Sequence, residues 1–265
     1  MNRKNGLGTL YFGRCRGIQV KVREIAVQGE ISSLIYTKLV SEVKRWLQQQ
    51  YSRSLENPFA VFTENKLTYI VMEGHPDWRT LREVVKENTM SMAHRIDVLK
   101  NLAKIMNYCV HMKEPLSHGH LHPGNVLVCA RDLRVKVCDL GLTFLKKYVG
   151  MVNAGSGAEY TNKGNYTAPE YLSAKGPVVD KPAESGDVYS FGLIALTVIS
   201  GKDCFEGMDT DEVHRMIREQ KRPTIPEDTN PKIEQLIKLC WAPIPEERPR
   251  FMKVIELLEY VTPTD

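Results

Sequence analysis

Apolar and polar positions recur with two different periods along this chain. Near the start, Gly8-Thr9-Leu10-Tyr11-Phe12-Gly13 and Ile18-Gln19-Val20-Lys21-Val22 are short, rich in aromatic or β-branched residues and separated by glycine. Such runs predict strands. The period then lengthens: Leu39, Val43, Trp46 and Leu47 share one helical face, with Lys38, Glu42, Lys44 and Arg45 on others, so a helix is expected over 34–49. A polar stretch, 48–57, reads as a loop. Phe59-Ala60-Val61-Phe62 and Leu67-Thr68-Tyr69-Ile70-Val71-Met72 predict two more strands. Gly74 and Pro76 mark Glu73–Asp77 as a crossing between two regions.

Helical spacing dominates the rest. Trp78, Leu81 and Val85 predict a short helix; Met92, Ile96, Leu99, Ala103, Met106 and Val110 predict a long one. Phe191–Ile199 is apolar nearly all round, as a fully enclosed helix must be. Val213–Ile217, Ile233–Cys240 and Val254–Val261 supply further helices, punctuated by Pro223, Pro226, Pro231, Pro243 and Pro245. The pattern is α+β, with a β-rich region of about 1–73 followed by a helical region of about 77–265.

Composition narrows the class. The 265 residues, 42% hydrophobic and 26% charged, are ordinary for a globular protein. The formal charge of +4 is scattered and calls for neither nucleic acid nor a membrane surface. No apolar run is long enough to span a bilayer. Six cysteines without paired spacing read as reduced thiols, which fits an intracellular, cytoplasmic setting.

The chemistry concentrates in His118-Gly119-His120-Leu121-His122-Pro123-Gly124-Asn125, with Asp139-Leu140-Gly141 fourteen residues beyond, after Val135-Lys136-Val137-Cys138. This spacing resembles the catalytic loop and metal-binding turn of the protein kinases. Ala168-Pro169-Glu170, Asp187 within Gly186-Asp187-Val188-Tyr189-Ser190-Phe191-Gly192, and Arg248 before Pro249 extend the resemblance over nearly the whole chain. Cys240-Trp241 and Arg248-Pro249 are similar to the tyrosine-kinase and tyrosine-kinase-like branches.

The resemblance implies a bilobal protein-kinase fold, with a small β-rich lobe and a larger helical one. It implies ATP and Mg²⁺ as cofactors. Lys21 would hold the nucleotide phosphates, and Glu42 would be its helix partner. Gly8 would belong to the glycine-rich loop, Met72 would guard the adenine place and Leu127 would lie beneath it. Asn125 and Asp139 would be the metal ligands. Asp187 and Arg248 would be structural, the first holding the loop backbone and the second pairing with Glu170. His118 and Leu140, with Trp46, would belong to an apolar column.

The departures set the functional expectation. His120 stands where the family has its proton-accepting Asp, and His122 replaces a phosphate-contacting Lys. Gly119 replaces an Arg that pairs with a phosphorylated segment, so phosphates on Thr143, Tyr148, Tyr160, Thr161, Tyr166 or Thr167 would lack that partner. Gln19 replaces a small residue against adenine, and Arg3 and Asn5 replace glycines of the loop. The expectation is a pseudokinase domain that binds ATP and Mg²⁺ weakly or not at all and works through protein partners. Those partners would meet the helix around Glu42, the segment after Asp139, or the helical face at Val213–Ile217. The abrupt start on the glycine-rich loop suggests a domain excised from a longer protein. Alternatives are a weakly active kinase or an ATP sensor. A zinc reading of His118, His120 and His122 fails, because alternate loop residues point apart and no further ligand lies close.

Overall fold

A two-residue turn early in the chain fixes the pairing of the strands on either side of it. Arg16 and Gly17 both have positive φ, 48° and 85°. That two-residue turn matches the twist of the strands it joins and sets Cys15 opposite Ile18. In a computed structural model the residues described are 3–5, 8–26, 53–56, 58–64, 67–74, 77–113, 115–140, 164–172 and 183–262. The expected helix over 34–49, including Glu42 and Trp46, lies outside them. So does most of the segment after Leu140.

By internal contacts the chain divides into two units, Met1–Asp77 with Asp139–Asn162, and Trp78–Cys138 with Lys163–Asp265. In the first, β1 (Arg3–Asn5), β2 (Gly8–Cys15), β3 (Ile18–Ala26), β4 (Pro58–Glu64) and β5 (Leu67–Glu73) form one antiparallel sheet in the order β1-β2-β3-β5-β4. Ile70 and Met72 lie on its buried face. Phe62 and Tyr69 stack on the other, with ring centroids 4.9 Å apart. Gly74 donates its N–H to the Gln19 carbonyl at 2.9 Å. A Cβ there would come within 2.9 Å of the β3 backbone, so the close approach needs glycine.

The second unit opens with β6 (Trp78–Thr80), which pairs with β7 (Val126–Cys129), itself paired with β8 (Val135–Val137). Trp78 therefore belongs to a strand, not to the start of a helix. The helix α1 (Leu81–Glu87) begins at Thr80, whose side chain accepts from the Glu83 N–H while Glu83 reaches back to the Thr80 N–H. Next come α2 (Met92–Val110), α3 (Glu184–Ser200), α4 (Thr210–Arg218), α5 (Pro231–Cys240) and α6 (Phe251–Glu259). Every residue of α3 from Gly186 to Ile199 is buried, with α2 and α5 packed against it. On α4 the apolar residues Val213 and Ile217 are buried in this unit. The surface that α4 leaves for the expected protein contact carries charged residues such as Asp211, Glu212 and Arg215. No helix among the described residues is long and apolar enough to cross a membrane, and all six cysteines are unbridged.

Candidate functional site

In the first unit the chemistry rests on the buried face of β3. Alternation along a strand puts Lys21 and Arg23 on one face, and both are buried. Met72 is the cross-strand neighbour of Lys21, and Ile70 that of Arg23. The Lys21 ammonium is paired with the Glu56 carboxylate. Glu56 comes from the polar stretch before β4 and was not among the residues the sequence singled out. Glu42, expected as the partner, lies outside the described residues. Gly8 opens β2 opposite Asn5, and the Gln19 side chain is half-buried.

Asp139 is the other buried acid among the described residues of this unit. Its backbone sits at φ 61°, a left-handed conformation uncommon for a residue with a Cβ. Its Oδ1 accepts from Arg23 Nη2 at 2.6 Å, and the two side chains are 7% and 3% exposed. Arg23 is thus a second site residue that sequence reasoning missed. The signal was present, since a cation two positions beyond Lys21 in a strand must share its face.

In the second unit the loop 118–125 is held from both ends. Asp187, from the first turn of α3, accepts the His118 N–H at 2.6 Å and the Gly119 N–H at 2.7 Å. Burial pushes its carboxyl up to about 7, although both amide donors pull the other way. Gly119 has φ 69°, which suits glycine where the family has Arg. His118 is fully buried. Its Nε2 lies 2.8 Å from the Cys138 carbonyl, and its Nδ1 takes the His120 N–H at 3.3 Å, so the proton belongs on Nε2.

Asn125 is buried and turned into its own loop. Its Nδ2 donates to the His120 carbonyl at 2.6 Å, and its Oδ1 accepts the His122 N–H at 3.0 Å. The His122 ring folds back, with Nδ1 accepting the Gly124 N–H at 2.9 Å. It meets the His120 ring edge-on at 4.7 Å between centroids. His120 also lies over Gly164, where an added Cβ would stand 3.1 Å from its Cε1. Leu127 is half-buried on β7 opposite Thr80 and Lys136. Tyr166, considered above as a phosphate acceptor, is buried. Its hydroxyl lies 2.9 Å from Thr197 Oγ1 and donates to Asp203 Oδ1 at 3.1 Å. A kinase cannot reach that oxygen while this unit is folded.

Arg248 completes the unit with a two-pronged bond to Glu170, at 2.7 and 2.9 Å. It also donates to the carbonyls of Ala242, Ser185 and Pro243.

Protein kinases typically bind ATP and Mg²⁺. Lys21 with its acid partner suits phosphate. The acceptors expected for a divalent ion do not suit it as they stand, because Asp139 carries a guanidinium and the Asn125 Oδ1 an amide proton.

Comparison with known proteins agrees with the loop geometry. A family profile for protein tyrosine and serine/threonine kinases matches residues 7–258. Dual specificity protein kinase shkA of Dictyostelium discoideum is 30% identical over 259 residues, covering 96% of this chain and 47% of its own length. Dual specificity protein kinase shkD of the same organism is 26% identical over 255 residues, covering 95% of this chain and 33% of its own. Serine/threonine-protein kinase CTR1 of Arabidopsis thaliana is 30% identical over 183 residues, or 68% of this chain and 21% of its own. The chain spans less than half the length of each of these relatives. With its β-sheet unit, its helical unit and the order of its motifs, this α+β chain belongs to the protein tyrosine and serine/threonine kinase family and has the protein-kinase fold.

Proposed function

We propose that this chain is a pseudokinase domain, of the tyrosine-kinase or tyrosine-kinase-like branch, that acts as a scaffold or allosteric regulator in intracellular signalling. One observation carries the reading. The loop 118–125 contains no carboxylate, and the imidazole in the acceptor's place, His120, leans on His122. A family member that transfers phosphate uses that Asp to aim the substrate hydroxyl and take its proton. Imidazole can accept a proton, but a larger ring braced on a neighbour does not reproduce the carboxylate's geometry. The His122 ring bends back to its own loop and does not take the extended course of the Lys it replaces. Losing positioning and charge stabilisation together costs several orders of magnitude in rate. The partners are proteins, and ATP with Mg²⁺ is bound weakly or not at all.

The test is single-turnover transfer from γ-labelled ATP to a generic protein acceptor and to the chain itself. Transfer should not exceed that of Lys21→Met; a rise in His120→Asp is the mark of the alternative, a weakly active kinase. Robust wild-type transfer that disappears in Lys21→Met would overturn the reading and place the chain among working kinases.

A further inference from the structure

Charge placed among apolar neighbours is costly unless paired. Arg23 is only 2% exposed, between Leu10 of β2 and Ile70 of β5. Its partner at 2.6 Å is Asp139, the carboxylate that stands where this family holds a divalent ion. We propose that Arg23 is the resident cation of Asp139 and makes this unit indifferent to divalent metal. Asp139 is then a counter-ion, not a metal ligand, and a nucleoside polyphosphate that binds here binds metal-free.

The physical case is a competition for one carboxylate. Mg²⁺ needs an oxygen in direct, near-octahedral coordination and dehydrates reluctantly. The Oδ1 it would use is already held by a charged donor, and such bonds are among the strongest in proteins. A divalent ion beside the guanidinium would also meet a like charge in a poorly screened setting. A lysine could relieve that conflict by shedding its proton, whereas arginine does not. Moving Arg23 away would strand a cation beside Ile70. Lys21 does not fill the vacancy, because Glu56 holds it.

The inference rests on the kinase-family placement of Asp139, not on the loss of phosphoryl transfer. Its test is thermal unfolding of the 265-residue chain in EDTA, MgCl₂ and MnCl₂, with and without ATP. A ligand bound only by the folded state raises the melting temperature. Wild-type curves in EDTA and in metal should superimpose, whether or not ATP is present. Arg23→Gln should gain a rise that grows with metal concentration. In EDTA, Asp139→Asn should lower melting by about 10 °C, because it takes a buried carboxylate from Arg23, and the Arg23→Gln/Asp139→Asn double variant should recover part of that loss.

A metal-dependent rise in the wild type that Asp139→Asn abolishes would overturn the proposal. So would an Asp139→Asn variant that is unchanged or stabilised in EDTA, as expected of a carboxylate kept for a metal. Should Arg23→Gln fail to fold, the wild-type titration and the other two variants still decide. Metal binding without phosphoryl transfer would sink this inference and leave the pseudokinase reading standing. Mg²⁺-dependent transfer would sink both.

Discussion

Arg248 uses all five of its donor positions, on Glu170 and three carbonyls. Its side chain is fully enclosed while that of Glu170 is 24% exposed. Lysine brings a single ammonium and cannot copy that fork. Arg248→Lys should therefore lower unfolding free energy by about 3 kcal/mol, read from urea midpoints at constant slope. A loss below about 1 kcal/mol would mean that the pair behaves as a surface ion pair. Asp187 gives a prediction with a sign. Burial raises its carboxyl to about 7 in the folded chain, against about 3.9 when unfolded. Between those values the native state holds the extra proton. Stability from this group is thus full below about pH 4 and is lost as pH rises through about 7. Asp187→Asn has no proton to lose there. It should be less stable at pH 5, since its amide cannot accept both the His118 and Gly119 N–H groups, and should show a shallower decline toward pH 8. Equal pH slopes in the two proteins would show that burial does not control this carboxyl.

Two helices cross at a glycine. A Cβ at Gly192 of α3 would stand 2.8 Å from the Cβ of Cys240 on α5, and 3.4 Å from the Ile237 carbonyl. Neither neighbour is the free end of a flexible side chain. Gly192→Ala should therefore force the helices apart and cost about 1–3 kcal/mol, despite the better helix propensity of alanine. Cys240→Ala keeps the obstructing Cβ and should not rescue it, as melting of the double variant would show. These elements also show what sequence could and could not tell. The strands β2 to β5 and the helices α2 to α6 are legible because each is long enough to repeat its period. The strand β6 is not: three residues cannot display alternation, and its existence depends on β7. The start of α1 was written in Thr80-x-x-Glu83, a capping pattern that outranks the apolar spacing of Trp78. The family motifs were legible because their spacing is local. The partnership of Lys21 with Glu56 and of Arg23 with Asp139 was not, since the latter spans 116 residues and is chosen by the fold.

Across the whole molecule the cysteines report how much of the chain is closed. Cys109, Cys129, Cys138 and Cys240 are buried, Cys204 is half-buried and Cys15 is exposed at the end of β2. Reaction with iodoacetamide needs both access and thiolate. Burial pushes the Cys109 and Cys204 thiols up to about 12 and the Cys240 thiol higher still, so at neutral pH they are protonated as well as shielded. Brief native labelling at pH 7.5, mapped by mass spectrometry, should modify Cys15 alone, and Cys15→Ser should remove that signal. Denaturant should open all six. The two units give the experiment its resolution, because Cys15 belongs to the β-sheet unit and the other five to the helical one. Partial denaturant that labels Cys129 or Cys138 before Cys240 would mean that the β6-β7-β8 sheet opens ahead of the helix contacts. Simultaneous labelling of all five would mean that the helical unit unfolds as one cooperative body. Labelling of Cys240 in native buffer would contradict its enclosure between α3 and α5.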